Sequence, residues 1–195
     1  MGCMETYDEE LNACPLCGYA HGTPAEEAIH MQLGTVLSKR YIIGKVLGYG
    51  GFGVTYIAWD SRLDTKVAIK EYLPSEFSTR MPGQTSVTIF NGDKKEQFQD
   101  GLVKFVDEAK RLAKFQNEPG IVKIFDSFVE NETAYIIMEY LEGETLATRL
   151  KRKKQIPEKE ALQLIEPVLD SLRVIVLCRW PGSLRVTKRG RISGW

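Results

Sequence analysis

Three glycines, a lysine and a cysteine pair carry the chemistry available to this sequence. Gly48, Gly50 and Gly53 fall as G-x-G-x-x-G within "KVLGYGGFGVTYIAWD", Lys45 to Asp60. Glycines so spaced let a backbone close on phosphate oxygens and present N–H donors. Two unrelated nucleotide sites share the pattern. In a dinucleotide turn the glycines end a strand and open a helix. Here Val54, Thr55, Tyr56, Ile57 and Trp59 follow, a run with good strand and poor helix propensity. The reading is a hairpin with a glycine tip, a flexible cover for a triphosphate that Phe52 can cap. Glu71 stands near where a ribose-binding acid would be sought, but without the helix that match carries little. Taken alone, the run is equally a plain glycine-rich hairpin.

Cys14 and Cys17 form C-P-L-C-G, the shape of half a zinc knuckle. Cys3 is the expected third ligand, with His21 or an absent cysteine as the fourth. A cysteine one place before Met1 would complete a second C-x-x-C with Cys3, which would put the start of translation further upstream. A redox dithiol fits less well, because no helix is expected just after the motif. An inert pair of thiols is the remaining alternative. Cys178 is assigned nothing.

These residues need a scaffold. "YIIGKVL" and "VTYIAW" flank the glycines and read as two antiparallel strands. "LDTKVAIKEYL" adds a turn and a third strand, stopped at Pro74. Residues 75–93 read as an irregular excursion with one extended piece, "SVTIF". A helix is expected from Lys94 to about Gln116, with Phe98, Leu102, Phe105, Ala109, Leu112 and Ala113 in one apolar stripe. "GIVKIFDSFV" and "TAYIIMEYL" supply two more strands. "TLATRLKRKK" reads as a short helix. A further helix is expected after Pro157, with a kink or break at Pro167. The expected fold class is α+β, with five antiparallel strands and one large helix.

Composition narrows the function classes. The 195 residues have a formal net charge of zero, so no global field favours nucleic acid or an acidic membrane. There is no apolar stretch long enough for a spanning helix. The acidic, polar start does not suit a secretory signal. Four cysteines without such a signal point to thiols in a reducing cytosol, hence a cytoplasmic protein. Beyond Asp170 there is no acid and there are six bases, Arg173, Arg179, Arg185, Lys188, Arg189 and Arg191. The expected division is a cysteine-bearing leader at 1–38, a main lobe at 41–141, partial helices at 142–175 and a basic irregular tail at 176–195. That tail reads as sequence the preceding helix was not built to join, as a shifted reading frame would produce.

The glycine run, "VAIK" at Val67–Lys70 and the glutamate-bearing "FVDEAKRLAKF" together resemble the protein kinase family. "GYGGFGVTYIAWD" and "VAIKEYLP" look most like bacterial serine/threonine kinases, some of which carry a short cysteine-rich leader. The resemblance covers about residues 41–175. It implies the small, ATP-holding lobe and the start of the helical one, protein substrates, and ATP with Mg2+ as cofactors, besides the zinc read above. By resemblance Gly48, Gly50, Gly51, Phe52 and Gly53 cover the phosphates and Lys70 holds the α- and β-phosphates. Leu47 and Ala68 enclose adenine, and Thr55 stands where relatives often place valine. Met138 backs the pocket, and Glu139, Tyr140 and Leu141 offer backbone groups. Glu108 is the expected partner of Lys70. At 100° per residue it lies on the border of the helix stripe, while Asp107 faces water.

The family's chemistry also needs H-R-D-x-x-x-x-N and D-F-G. The only histidines are His21 and His30, both before the glycines, and no D-F-G or A-P-E occurs. The expectation is an ATP-binding lobe inactive as this isolated chain. The other readings are a non-catalytic scaffold and a zinc-mediated interaction module. An unfinished second lobe would leave apolar surface exposed.

Overall fold

The computed structural model describes residues 2–179 except 9, 21 and 119, with side chains described through 174. Cys178, His21 and the tail proposed from the sequence therefore lie wholly or largely outside the described residues. The chain divides into two compact units, residues 1–116 with 123–141 and residues 117–122 with 142–195.

The first unit is built on a six-stranded antiparallel sheet. Its strands are β1 (Val36–Leu37), β2 (Tyr41–Gly50), β3 (Gly53–Asp60) and β4 (Thr65–Tyr72), then β7 (Ile124–Glu130) and β8 (Thr133–Glu139). The spatial order is β1-β2-β3-β4-β8-β7. All five expected strands are present. The sixth, β1, is two residues long and pairs Val36 and Leu37 with Ile42 and Tyr41, too short to leave a periodic signal. Residues 75–93 hold more order than expected. β5 (Ser78–Arg80) and β6 (Val87–Ile89) form a separate two-stranded ribbon.

The helix α1 runs Asp93–Leu112 and passes into a 3-10 turn at Ala113–Phe115. Acids in its first turn and bases in its last complement the helix dipole. Phe98, Phe105 and Ala109 are buried, as the stripe requires. The Tyr72 ring at the end of β4 packs against Phe98 and Phe105, with centroids 5.0 and 5.4 Å away. Gly101 sits where helix and strand touch. A Cβ there would stand 2.0 Å from the Tyr72 hydroxyl, so the residue that weakens the helix permits its contact with the sheet.

The reverse face of the sheet is held by buried polar chemistry. Glu71 and Arg80 are both fully buried and form an ion pair. Arg80 also donates to the carbonyls of Thr85 and Ile29, and the Tyr56 hydroxyl donates to Glu71 at 3.1 Å. The Met31 amide closes the chain onto the Tyr56 hydroxyl. Burial first, and then the Glu71 charge, push the Tyr56 and Tyr135 hydroxyls far above the usual tyrosine range. One acid thus ties β4 to the ribbon and to the leader. At the far end of β3, Arg40 grips buried Asp60 in a two-pronged pair at 2.8 and 2.7 Å. That pair, together with amide donors, holds the carboxyl below its usual value.

The second unit holds α2 (Leu146–Lys153) and α3 (Glu158–Arg179). Thr145 caps α2 by accepting from the Thr148 amide. The two helices are joined by Arg149 and Lys153 on Glu160. α3 starts just after Pro157 and runs through Pro167 without a break.

Candidate nucleotide site

Strand register explains which residues share a face of the sheet. Directly opposed residues in an antiparallel pair lie on one face, and neighbours along a strand alternate. Gly48 faces Thr55, Thr55 faces Lys70, and Lys70 faces Ile136. Two residues along, Ile57 faces Ala68, and Ala68 faces Met138. Thr55, Ala68, Lys70 and Met138 therefore share one face, and Tyr56, Ile69 and Glu71 share the other. Glu71 is spent on Arg80, so it has no part in ligand chemistry on the Lys70 side.

The glycines divide by role. A Cβ at Gly48, Gly50 or Gly51 would meet no atom within 4 Å. No protein contact in this structure requires glycine at those three positions. Gly53 is different. Its φ of +147° and a would-be Cβ 1.9 Å from the Glu71 carbonyl oxygen make it the hinge between β2 and β3. The tip is tied down where the Leu73 amide donates to the Phe52 carbonyl at 3.3 Å. The Phe52 side chain is 80% exposed and Leu47 is exposed as well.

Below the tip lies a cleft of about 870 Å³, lined in part by Gly51, Phe52, Lys70, Phe105 and Glu108. The Lys70 ammonium stands 5.7 Å from the Phe105 ring centre, a cation–π distance. Among the described residues no ion pair within 4.0 Å joins Lys70 to Glu108. The two share the cleft wall, and Glu108 is exposed. Asp107 pairs with Lys110 at 3.2 Å on the outer side. Leu47, Thr55, Ala68, Met138, Glu139 and Leu141 do not line this cleft; Ala68 is buried, Met138 and Glu139 are half-buried, and Leu141 is 66% exposed. The Glu139 amide is taken by the Lys123 carbonyl at 2.9 Å.

Magnesium takes hard oxygen ligands. Among the described residues the one converging group of three metal-binding side chains is Cys3, Cys14 and Cys17, whose soft sulfurs suit other ions. In that group burial raises the Cys3 thiol; burial also acts to raise Cys14, but the amides of Cys17 and Leu16 and the two neighbouring thiols together hold it below its usual value. Sequence reasoning missed the leader's grip on the glycine hairpin. His30 meets the Tyr49 ring edge-on at 5.5 Å, and the Glu27 carboxylate beside the Tyr49 hydroxyl raises it above the usual tyrosine value. No spacing rule could have signalled those contacts.

Known proteins with this arrangement agree on one family. Residues 41–177 match the protein kinase domain. PknA, a serine/threonine-protein kinase of Mycobacterium tuberculosis, is 28% identical over 173 residues, covering 83% of this chain and 36% of PknA. PrkC, a serine/threonine-protein kinase of Bacillus subtilis, is 31% identical over 142 residues, covering 73% of this chain and 19% of PrkC. The chain thus spans about a third or less of these relatives. A solved structure described as "PpkA-294 apo form" superposes with a TM-score of 0.71 at 26% identity, covering 84% of this chain and 60% of that one. No described helix is long and apolar enough to cross a membrane. Since the matched residues take in the glycine hairpin, the lysine strand, α1 and every large-sheet strand but β1, this chain belongs to the protein kinase family.

Proposed function

We propose that the first unit binds ATP and that these 195 residues, as an isolated chain, do not transfer its phosphate. The observation that carries the reading is the row Gly48–Thr55–Lys70 beside an open cleft. Gly48, Gly50 and Gly51 offer backbone N–H groups to phosphate oxygens, with nothing of the protein in the space a side chain would fill. Lys70 supplies the positive charge for the α- and β-phosphates. Leu47, Thr55, Ala68 and Met138 enclose the adenine, and the backbone of Glu139 to Leu141 receives its polar edge. Glu108, on the cleft side of α1, is the carboxylate that orients Lys70 once the two approach. Phosphoryl transfer rests on positioning and on charge stabilisation, and the sequence holds neither H-R-D nor D-F-G. Protein serine or threonine side chains are the substrate class of the family activity, carried out with Mg2+ in the cytoplasm.

Two measurements separate binding from chemistry. Titration calorimetry is expected to give saturable ATP binding. Lys70→Met removes a charged hydrogen-bond donor worth roughly 1.5–3 kcal/mol, about ten- to a hundredfold in affinity. Glu108→Gln is expected to weaken it less. Incubation with radiolabelled ATP and a basic protein acceptor is expected to show background labelling. Robust, Lys70-dependent labelling would overturn the proposed inactivity.

A further inference from the structure

The geometry points to a zinc site made by Cys3, Cys14 and Cys17 that pins the leader across the free edge of β2, at the root of the glycine hairpin. The three sulfurs lie within 4.8 Å of one another, and Cys3 and Cys14 are 3.7 Å apart. Tetrahedral zinc with Zn–S near 2.3 Å sets its sulfurs about 3.8 Å apart. A disulfide would need roughly 2.05 Å, and all three thiols are free. The loop around them is shaped for a metal. Ala13 and Ala20 form a bridge, the Cys14 amide donates to the Tyr19 carbonyl, and the Gly18 amide returns to the Cys14 carbonyl at 2.8 Å. Cys3 comes from eleven residues upstream, so the cluster is assembled by folding rather than by one short motif.

Two glycines show what the site is attached to. A Cβ on Gly2 would strike Tyr19 Cβ at 2.7 Å and Cys17 Sγ at 2.8 Å. A Cβ on Gly44, in β2, would strike Met4 Cε at 2.7 Å, the Gly2 carbonyl oxygen at 2.8 Å and Ile57 at 2.8 Å. The knuckle, residues 2–4 and strand β2 are therefore stacked in contact. The Lys45 amide donates to the Gly2 carbonyl at 2.8 Å. Past Ile43, β2 has no neighbouring strand on that side, because β1 begins only at Val36, opposite Ile42. The leader fills that edge. Zinc on Cys3 and the knuckle locks the cover in place, three residues before Gly48. Among the described residues no other histidine, cysteine or acid joins the set, so the ion keeps a fourth position for a light-atom ligand.

The test uses the full chain and is independent of ATP. Purified with Zn2+, it is expected to hold one zinc per chain, with three sulfurs and one light atom by X-ray absorption. Co2+ in place of zinc is expected to show thiolate-to-cobalt charge-transfer absorption. Cys14 is buried, so Cys14→Ser alone confounds folding with metal loss. Cys3→Ser, at a half-buried position, separates them: the chain stays folded by circular dichroism and loses zinc affinity at least tenfold. Chelation is expected to speed hydrogen exchange at the Lys45 amide at least tenfold while Ile69, in mid-sheet, is unchanged. Substoichiometric zinc, fewer than three sulfurs or four, or a Lys45 amide indifferent to the metal would overturn the proposal.

Discussion

At the scale of residues, the glycine hairpin separates structural from ligand-facing demands. Gly53 is a fold residue, since its φ and the nearby Glu71 carbonyl admit no side chain. Gly53→Ala is expected to cost at least about 1–3 kcal/mol of stability, read as a lower thermal midpoint. Gly48 has open space, so Gly48→Ala is expected to leave the midpoint unchanged or slightly raised while weakening ATP binding. Equal destabilisation by both would remove the distinction. The shared face of Thr55 and Lys70 was legible in sequence because it rests on backbone patterning. The alternation after Gly53 puts Thr55 on the same face as Lys70, and the order of the motifs does the rest. Glu108 was legible only as a place on a helix. Its exposure, and the absence of a described ion pair with Lys70, follow from where α1 settles on Tyr72 through Gly101, which no helical wheel reports.

At the scale of elements, Glu71 holds the lobe's back together. It joins β4 to the ribbon through Arg80 and to the leader through Tyr56. Nothing in the sequence announced it. The pair spans nine positions across a stretch read as irregular, and a buried charge becomes visible only once its partner is placed. Removing one member of a buried pair leaves the other charged and desolvated. Arg80→Ala is therefore expected to cost about 3–5 kcal/mol, measured by urea unfolding. A loss under about 1 kcal/mol would mean that the ribbon is not fastened this way. The strands themselves were readable from apolar runs and turn residues. The two-residue β1 and the three-residue β5 were too short for periodicity to show, whereas "SVTIF" did mark β6, and the cover on the edge of β2 is a tertiary contact of the leader.

At the scale of the whole molecule, the two units differ in how they meet solvent. The first has a continuous core from Leu37 to Ile137. In the second, Leu162, Ile165, Val168, Leu169 and Leu172 of α3 are all between 48 and 59% exposed. This chain on its own is expected to self-associate as its concentration rises, checked by sedimentation velocity. Leu169→Lys with Leu172→Lys is expected to restore a monomer, and no change in sedimentation would clear α3 of the role. An isotope-labelled chain titrated with ATP shows whether the hairpin and Lys70 hold the nucleotide. Saturable amide shifts are expected at Gly48–Gly53 and at Glu139–Leu141, weakened at least tenfold by Lys70→Met. Shifts confined to other residues, or a Lys70→Met chain that binds as well as the parent, would contradict it.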